Sequence, residues 1–217
     1  MAKRRRPLWQ EMILLAVTAI VLSVVVKTFF AQSFYVPSAS MEPTLRGDTR
    51  AQDRIVTQKI SYWSGDPERG DVVVFKDPGD WLGPTTRGTP TVLQRGLGAL
   101  GVRPGDEHLV KRVIGRAGDR VVCCDTKGRL QVNGDAVVER YLSDQSSTRA
   151  TRFDVTVPPD RLWVMGDNRG DSADSRAHRD GPGHGFVPVD DVVGKVWLVV
   201  WPWRDRAVLH DPAGRAG

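Results

Sequence analysis

The first hundred residues hold no histidine, and the chain of 217 residues has only four, His108, His178, His184 and His210. A nucleophilic serine in the N-terminal half therefore has no histidine near it in the chain, although a distant one could still be brought to it by folding. Cysteine is scarcer, with Cys123 and Cys124 alone and adjacent. Neighbouring cysteines do not supply the separated pairs of a zinc site, which leaves a vicinal disulfide or two free thiols. Positive charge is not in surplus beyond the N-terminus. Lys3, Arg4, Arg5, Arg6 and Lys27 against Glu11 account for nearly all of the net +5. The remainder has no excess from which to build a basic face, and no nucleic-acid partner is expected. A second long apolar run is also missing, as are internal repeats, coiled-coil heptads and low-complexity tracts.

The one long apolar run lies at the start. Residues 12 to 26 are apolar apart from Thr18 and Ser23, and Phe29, Phe30 and Ala31 prolong the run past Lys27. About 20 such residues at 1.5 Å each span a hydrocarbon core of about 30 Å. This predicts a single transmembrane helix over 9–32. The basic cluster ahead of it predicts a cytoplasmic N-terminus at 1–8, a cell-membrane location and an extracytoplasmic remainder, with membrane lipids as a partner. A cleaved signal peptide ending at Ala31-Gln32-Ser33 is the rival reading, although signal-peptide cores run to only about 7–15 residues.

The rest of the chain reads as short strands. Residues 33–36, 54–57, 71–75, 109–114, 121–122, 130–132, 154–157, 161–165 and 195–201 are apolar or alternating. Turn signals separate them, among them Ser64-Gly65-Asp66-Pro67, Lys127-Gly128, Asn133-Gly134 and Pro158-Pro159. The expected fold class is mainly β, with a β-rich domain over 33–205 following the helix. Within it, 77–107 is rich in glycine and proline without a period and reads as an irregular insertion. A secondary β region at 123–160 forms a smaller inserted subdomain, and 206–217 is a tail.

Soon after the apolar run comes Pro37-Ser38-Ala39-Ser40-Met41-Glu42-Pro43-Thr44-Leu45. Pro37 lacks a backbone donor and keeps the serines on a loop. A serine hydroxyl needs a base, commonly histidine, though a lysine serves once its ammonium gives up its proton. Only seven lysines exist. Lys111 alternates with Leu109 and Val113 on one strand face, and Arg112 with Val110 and Ile114 on the other. A core-facing Lys111 would have its basicity lowered by desolvation; on an exposed edge strand it would sit in solvent. Lys195, between Gly194 and Val196, competes on the same logic.

The residues as a set resemble the bacterial type I signal peptidases, membrane-bound serine proteases with a Ser-Lys dyad. The Pro37 to Leu45 stretch looks like their nucleophile box. Arg69-Gly70-Asp71-Val72-Val73-Val74-Phe75 resembles the next, and Lys111-Arg112-Val113-Ile114-Gly115 with Gly118-Asp119 resembles the lysine box. Gly166-Asp167-Asn168-Arg169 with Ser172-Ala173-Asp174-Ser175-Arg176 resembles the last. Four boxes in order after one anchor are highly specific. The sequence departs from the pattern at Gly170 and Asp171, where many members have Asp-Asn, and in the longer loop from His178 to His184.

The resemblance implies that Ser40 is the nucleophile and neutral Lys111 its base, which decides against Lys195. It implies an oxyanion hole from the Ser40 N–H and the Ser38 hydroxyl. Ser172 would hold the Lys111 amine, and an Asp174–Arg176 ion pair would fix the Ser172 loop. Substrates would be signal-peptide-bearing preproteins with small residues at the first and third positions before the cut. Val36, Pro37, Met41, Leu45 and Val110 would shape the shallow pockets for them. No cofactor or metal is required. A calcium loop at Asp167, Asp171 and Asp174 lacks the glycine and distal glutamate of an EF-hand, and His178, Asp180 and His184 lack a visible second shell of partners. Trp197, Trp201 and Trp203 belong either to a buried closing strand or to a segment that dips into the outer leaflet. Two other functional readings stand beside this one, a self-cleaving Ser-Lys peptidase and an anchored binding module that captures signal segments without cutting them.

Overall fold

The computed structural model describes residues 7–25, 31–47, 52–58, 62, 65–79, 81–83, 108–142, 144, 148 and 151–209. The expected insertion beyond Gly83 lies outside them, as do residues 1–6 and the tail from His210 onward. Helix α1 (Leu8–Val25) is apolar on every side, and the described side chains along it, Met12, Leu15 and Ile20 among them, are exposed. Among the described residues no helix is long and apolar enough to cross a membrane. The chain is already extended by Ala31, inside the range read from sequence as apolar anchor, because β1 (Ala31–Tyr35) pairs with the next strand.

Twelve strands are present among the described residues: β1, β2 (Arg54–Gln58), β3 (Val72–Lys76), β4 (His108–Arg116), β5 (Arg120–Cys123), β6 (Leu130–Val132), β7 (Asp135–Ala136), β8 (Phe153–Thr156), β9 (Arg161–Met165), β10 (Val187–Pro188), β11 (Val192–Trp201) and β12 (Ala207–Val208). The expected mainly β architecture is the observed one. The larger sheet has the order β1-β2-β11-β3-β4-β9-β10, with β12 on β11, and the smaller has β7-β6-β5-β8. The short β7, β10 and β12 carry no sequence signal, since two residues cannot display a period. β12 brings into the larger sheet two residues expected to belong to the tail.

β3 explains why the larger sheet is central. Val72, Val73, Val74 and Phe75 are all buried, so both faces of the strand are covered. Val72 and Val74 join Val36, Met41, Leu45, Ile55 and Val199 in one cluster, while Val73 and Phe75 join Trp81, Val113, Leu162 and Val164 in another. Period-2 alternation sends neighbours to opposite faces. A third cluster, around Trp163, fills the space between the sheets. Trp163 is fully buried, with Phe153 and Phe186 rings 5.3 and 5.4 Å away; such aromatic pairs add about 0.5–1.5 kcal/mol each beyond area burial. β4 passes close to the smaller sheet at Gly115, where a Cβ would stand 2.6 Å from a Val121 methyl. Both residues of the turn joining β6 to β7, Asn133 and Gly134, have positive φ, as a two-residue hairpin demands. Cys123 and Cys124 form a vicinal disulfide.

Candidate active site

Ser40 sits in a single 3-10 turn (Ala39–Met41) directly after the extended Ser38. The turn is held from below, since Met41 and Leu45 are fully buried and Leu45 N–H bonds the Met41 carbonyl at 2.9 Å. It is held from the side by Asn168, whose backbone N–H donates to Ser40 O at 3.1 Å and whose Nδ2 donates to Ala39 O at 3.2 Å. That approach requires glycine next door: a Cβ on Gly166 would lie 2.4 Å from Ser40 O and 2.3 Å from Ser172 Oγ.

β4 brings Lys111 to this turn. Lys111 Nζ donates to Ser40 Oγ at 2.7 Å, and the two residues are 3% and 7% exposed. Burial lowers the Lys111 pKa from 10.5 to about 8, against the opposing charges of Asp174 and Asp167. Among the described residues no carboxylate forms an ion pair with Lys111. Lys195 differs, because its amine is paired with the buried Asp71. Ser38 Oγ lies 3.1 Å from Ser40 Oγ. A lysine that loses its proton near neutrality, placed at hydrogen-bond distance from a serine hydroxyl, can activate that serine without histidine. His108 instead meets the Phe34 ring at a tilt of 53°, 5.1 Å between centroids, and His178 stacks on Trp81.

The loop after β9 supplies the surroundings. Asp174 is fully buried and accepts from Gly166 N–H at 2.9 Å and from Arg176 Nε at 2.9 Å and Nη2 at 2.8 Å. Burial alone would raise its pKa, but the Arg176 guanidinium and the Gly166 N–H outweigh that and leave it below the usual carboxylate range. The expected Asp174–Arg176 pair is therefore present. Ser172 is brought to the site but not bonded to Lys111. Its buried Oγ has no well-formed hydrogen bond and turns towards Asp174, which it helps to keep ionised. Asp167 and Asp174, two of the three carboxylates of the calcium reading, are each bound by an arginine.

The residues expected to wall substrate pockets divide. Met41 and Leu45 are completely buried and Val36 nearly so at 2%, Val110 is 8% exposed, and Pro37 alone is open to solvent. The first three lie buried beneath the nucleophile turn, in one cluster with Ile55, Val72 and Val74. Sequence reasoning missed the polar frame around the site. Arg112 makes a two-pronged ion pair with Asp167 (Nε–Oδ1 2.8 Å, Nη2–Oδ2 2.6 Å), and its guanidinium lies 4.0 Å over the Tyr141 ring. Thr44 Oγ1 donates to the same Asp167 at 2.5 Å. Arg169, also buried, is paired with Glu139 and donates to Gly166 O at 2.9 Å. The signal was the quoted motifs themselves, whose charged residues outnumber those a dyad needs.

A buried serine–lysine contact on a mainly β scaffold is an arrangement that could support hydrolysis without a histidine. The family model described as signal peptidase, peptidase S26, matches residues 9–201. Signal peptidase I of Mycobacterium tuberculosis (strain H37Rv) is 44% identical over 220 residues, covering 91% of this chain and 74% of that protein. A probable signal peptidase I of Mycobacterium leprae is 42% identical, covering 92% and 78%. A solved signal peptidase I from Enterococcus faecalis V583 is 26% identical with a TM-score of 0.39, covering 60% of this chain and 97% of that one. The chain belongs to the signal peptidase family, peptidase S26, and is a serine peptidase.

Proposed function

We propose that this chain is a membrane-anchored signal peptidase I that removes signal peptides from exported preproteins after an Ala-X-Ala-like site, with Ser40 as nucleophile and Lys111 as general base. The observation that carries the reading is the 2.7 Å contact from Lys111 Nζ to Ser40 Oγ, together with a lysine pKa lowered to about 8. Neutral Lys111 takes the Ser40 proton as Oγ attacks the scissile carbonyl carbon. The oxyanion of the tetrahedral intermediate is held by the Ser40 N–H and the Ser38 hydroxyl, 3.1 Å from the nucleophile. The ammonium then returns its proton to the leaving amine, and water, deprotonated by the same lysine, releases the acyl group. Asp174 and Arg176 hold the Gly166 backbone beside Ser40, and Ser172 packs against that glycine.

An extended substrate is most simply bound by strand addition, with alternate side chains entering pockets. Pro37 and Val110 border that space, and Val36, Met41 and Leu45 limit its depth from below. The anchor is read from α1, which is apolar on all sides, from the continued apolar sequence beyond it, and from the basic residues ahead of it. On this reading residues 1–8 lie in the cytoplasm and the peptidase domain lies outside. Trp197, Trp201 and Trp203, 46%, 50% and 67% exposed, suit the headgroup region of a bilayer.

The test is cleavage of a preprotein carrying an Ala-X-Ala site by the detergent-solubilised protein, with the cut located by mass spectrometry. Cutting after the second alanine by wild type, and by neither Ser40→Ala nor Lys111→Met, is the expected result. Activity surviving in either variant overturns the assignment.

A further inference from the structure

The loop that carries Asp174 and Arg176 continues into the longer segment from His178 to His184, where the sequence departs from the family pattern. His178, two residues past Arg176, lies flat on Trp81, with centroids 4.5 Å apart and rings within 7° of parallel. His178 N–H bonds the Asp174 carbonyl at 3.3 Å, so the imidazole belongs to the same turn as the buried carboxylate. Trp81 is 7% exposed, and it meets Phe75 of β3 edge-on at 5.9 Å. Phe75 stands two residues from Val73, and Val73 pairs across the sheet with Lys111. The stack is thus on the Lys111 face of the sheet.

The segment presenting Trp81 is built for the purpose. The Asp77 carboxylate accepts three backbone N–H groups, from Gly79 at 3.1 Å, Trp81 at 2.8 Å and Leu82 at 3.1 Å. This turn touches the His178 loop at a second point, since a Cβ on Gly79 would lie 3.3 Å from Pro182 O. His178 Nε2 is buried and has no hydrogen-bond partner. A neutral ring tolerates that nitrogen as a bare acceptor, whereas an imidazolium would bury an N–H with nothing to receive it.

We propose that His178 and Trp81 form an aromatic clamp that positions the Asp174–Arg176 loop against Lys111, with the neutral imidazole as the form that closes it. The inference rests on the Ser40–Lys111 reading above. Its consequence falls on Lys111. Burial is the largest influence on that amine, ahead of the charges of Asp174 and Asp167. Opening the clamp relaxes burial and moves Asp174 away, and because burial dominates, the amine becomes more basic. The charged groups acting on His178 itself are Asp174 on its own loop, Asp77 on the facing turn and Lys111 on β4; burial outweighs the two carboxylates and lowers its pKa below 6.5. A lowered imidazole pKa means that the clamp is at full strength above the free-imidazole value and weakens as pH falls below it.

The experiment compares pH profiles of kcat/KM for wild type, Trp81→Ala, His178→Ala and His178→Phe. The pH dependence of Lys111 acetylation by acetic anhydride is read by mass spectrometry on the same full-length proteins. In both alanine variants kcat should fall about tenfold with KM little changed, and the rising limb of the profile and the labelling midpoint should both move up by about half to one pH unit. His178→Phe keeps a ring on Trp81 and should restore both. Unmoved labelling midpoints in both alanine variants, or a phenylalanine variant as impaired as the alanine one, would overturn the clamp. Shifted labelling in a protein whose wild type cuts nothing would support the clamp and count against the dyad reading alone.

Discussion

Lys111 and Arg112 are neighbours on β4, pointing to opposite faces, and both are almost wholly buried at 3% and 1% exposure. On one face the guanidinium meets Asp167 with two hydrogen bonds, donates to Gly70 O at 2.7 Å and stacks on Tyr141. On the other, the ammonium meets a hydroxyl and has its carboxylates, Asp174 and Asp167, only at a distance. The pairing with Asp167 raises the Arg112 pKa despite burial, while burial lowers that of Lys111. Two cations at equal depth therefore have opposite fates, and depth is not what separates them. The difference is the placement of one carboxylate, and it turns one residue into a strut and the other into a candidate base.

The comparison can be broken most severely by removing the base or its partner. Lys111→Met and Ser40→Ala should each reduce peptide cleavage by about 10⁴-fold or more, measured as kcat/KM on a preprotein. Lys111→Met should at the same time stabilise the fold by about 1–3 kcal/mol at pH 7, read by urea denaturation. The folded pKa of about 8 lies below the unfolded 10.5, so the penalty for a buried ammonium is complete below pH 8 and vanishes as pH rises towards 10.5. A gain that persists at pH 10.5 would contradict this.

On the other face, Asp167→Ala strands a buried guanidinium and should cost about 3–5 kcal/mol, whereas Arg112→Met combined with Asp167→Leu should recover most of that loss. Ser38→Ala should lower kcat by about 10²- to 10³-fold without unfolding the protein. Wild-type kcat/KM should climb as pH rises through about 8, following the neutral fraction of Lys111. The smallest effect belongs to Lys195→Met, which loses the pair with Asp71, costs about 1–2 kcal/mol in denaturation and leaves the rising limb of the pH profile where it is.

Much of the scaffold was legible because its strands announce themselves. The run Val72 to Phe75 is apolar on consecutive positions, which only a strand covered on both faces tolerates, and Asn133-Gly134 is the hairpin it looks like. The two-residue strands were not legible, and neither was the order in which strands pair, which depends on contacts far apart in the chain. At the site, Ser40 and Lys111 could be singled out, but alternation alone left the burial of the lysine undecided. What decides it is the packing of other segments against that face, the Ser40 turn among them. Arg112 was legible only as a residue on the opposite face, since its partner lies 55 positions away. How deeply the expected pocket residues are buried was not legible either. Met41 and Leu45 border the nucleophile in sequence, and their full burial with Val36 depends on strands that come later in the chain.

The position of β11 ties together the two parts of the sheet that carry the site. Val192–Trp201 lies between β2 and β3 in the larger sheet, although every other strand of that sheet except β12 precedes it in sequence. Without it, the β1-β2 hairpin whose connection holds the Ser40 turn and the β3-β4-β9 unit bearing Lys111 would have no continuous sheet between them. The segment holding Ser40 and the strand bearing Lys111 thus share one sheet only through a strand that follows both of them in the chain.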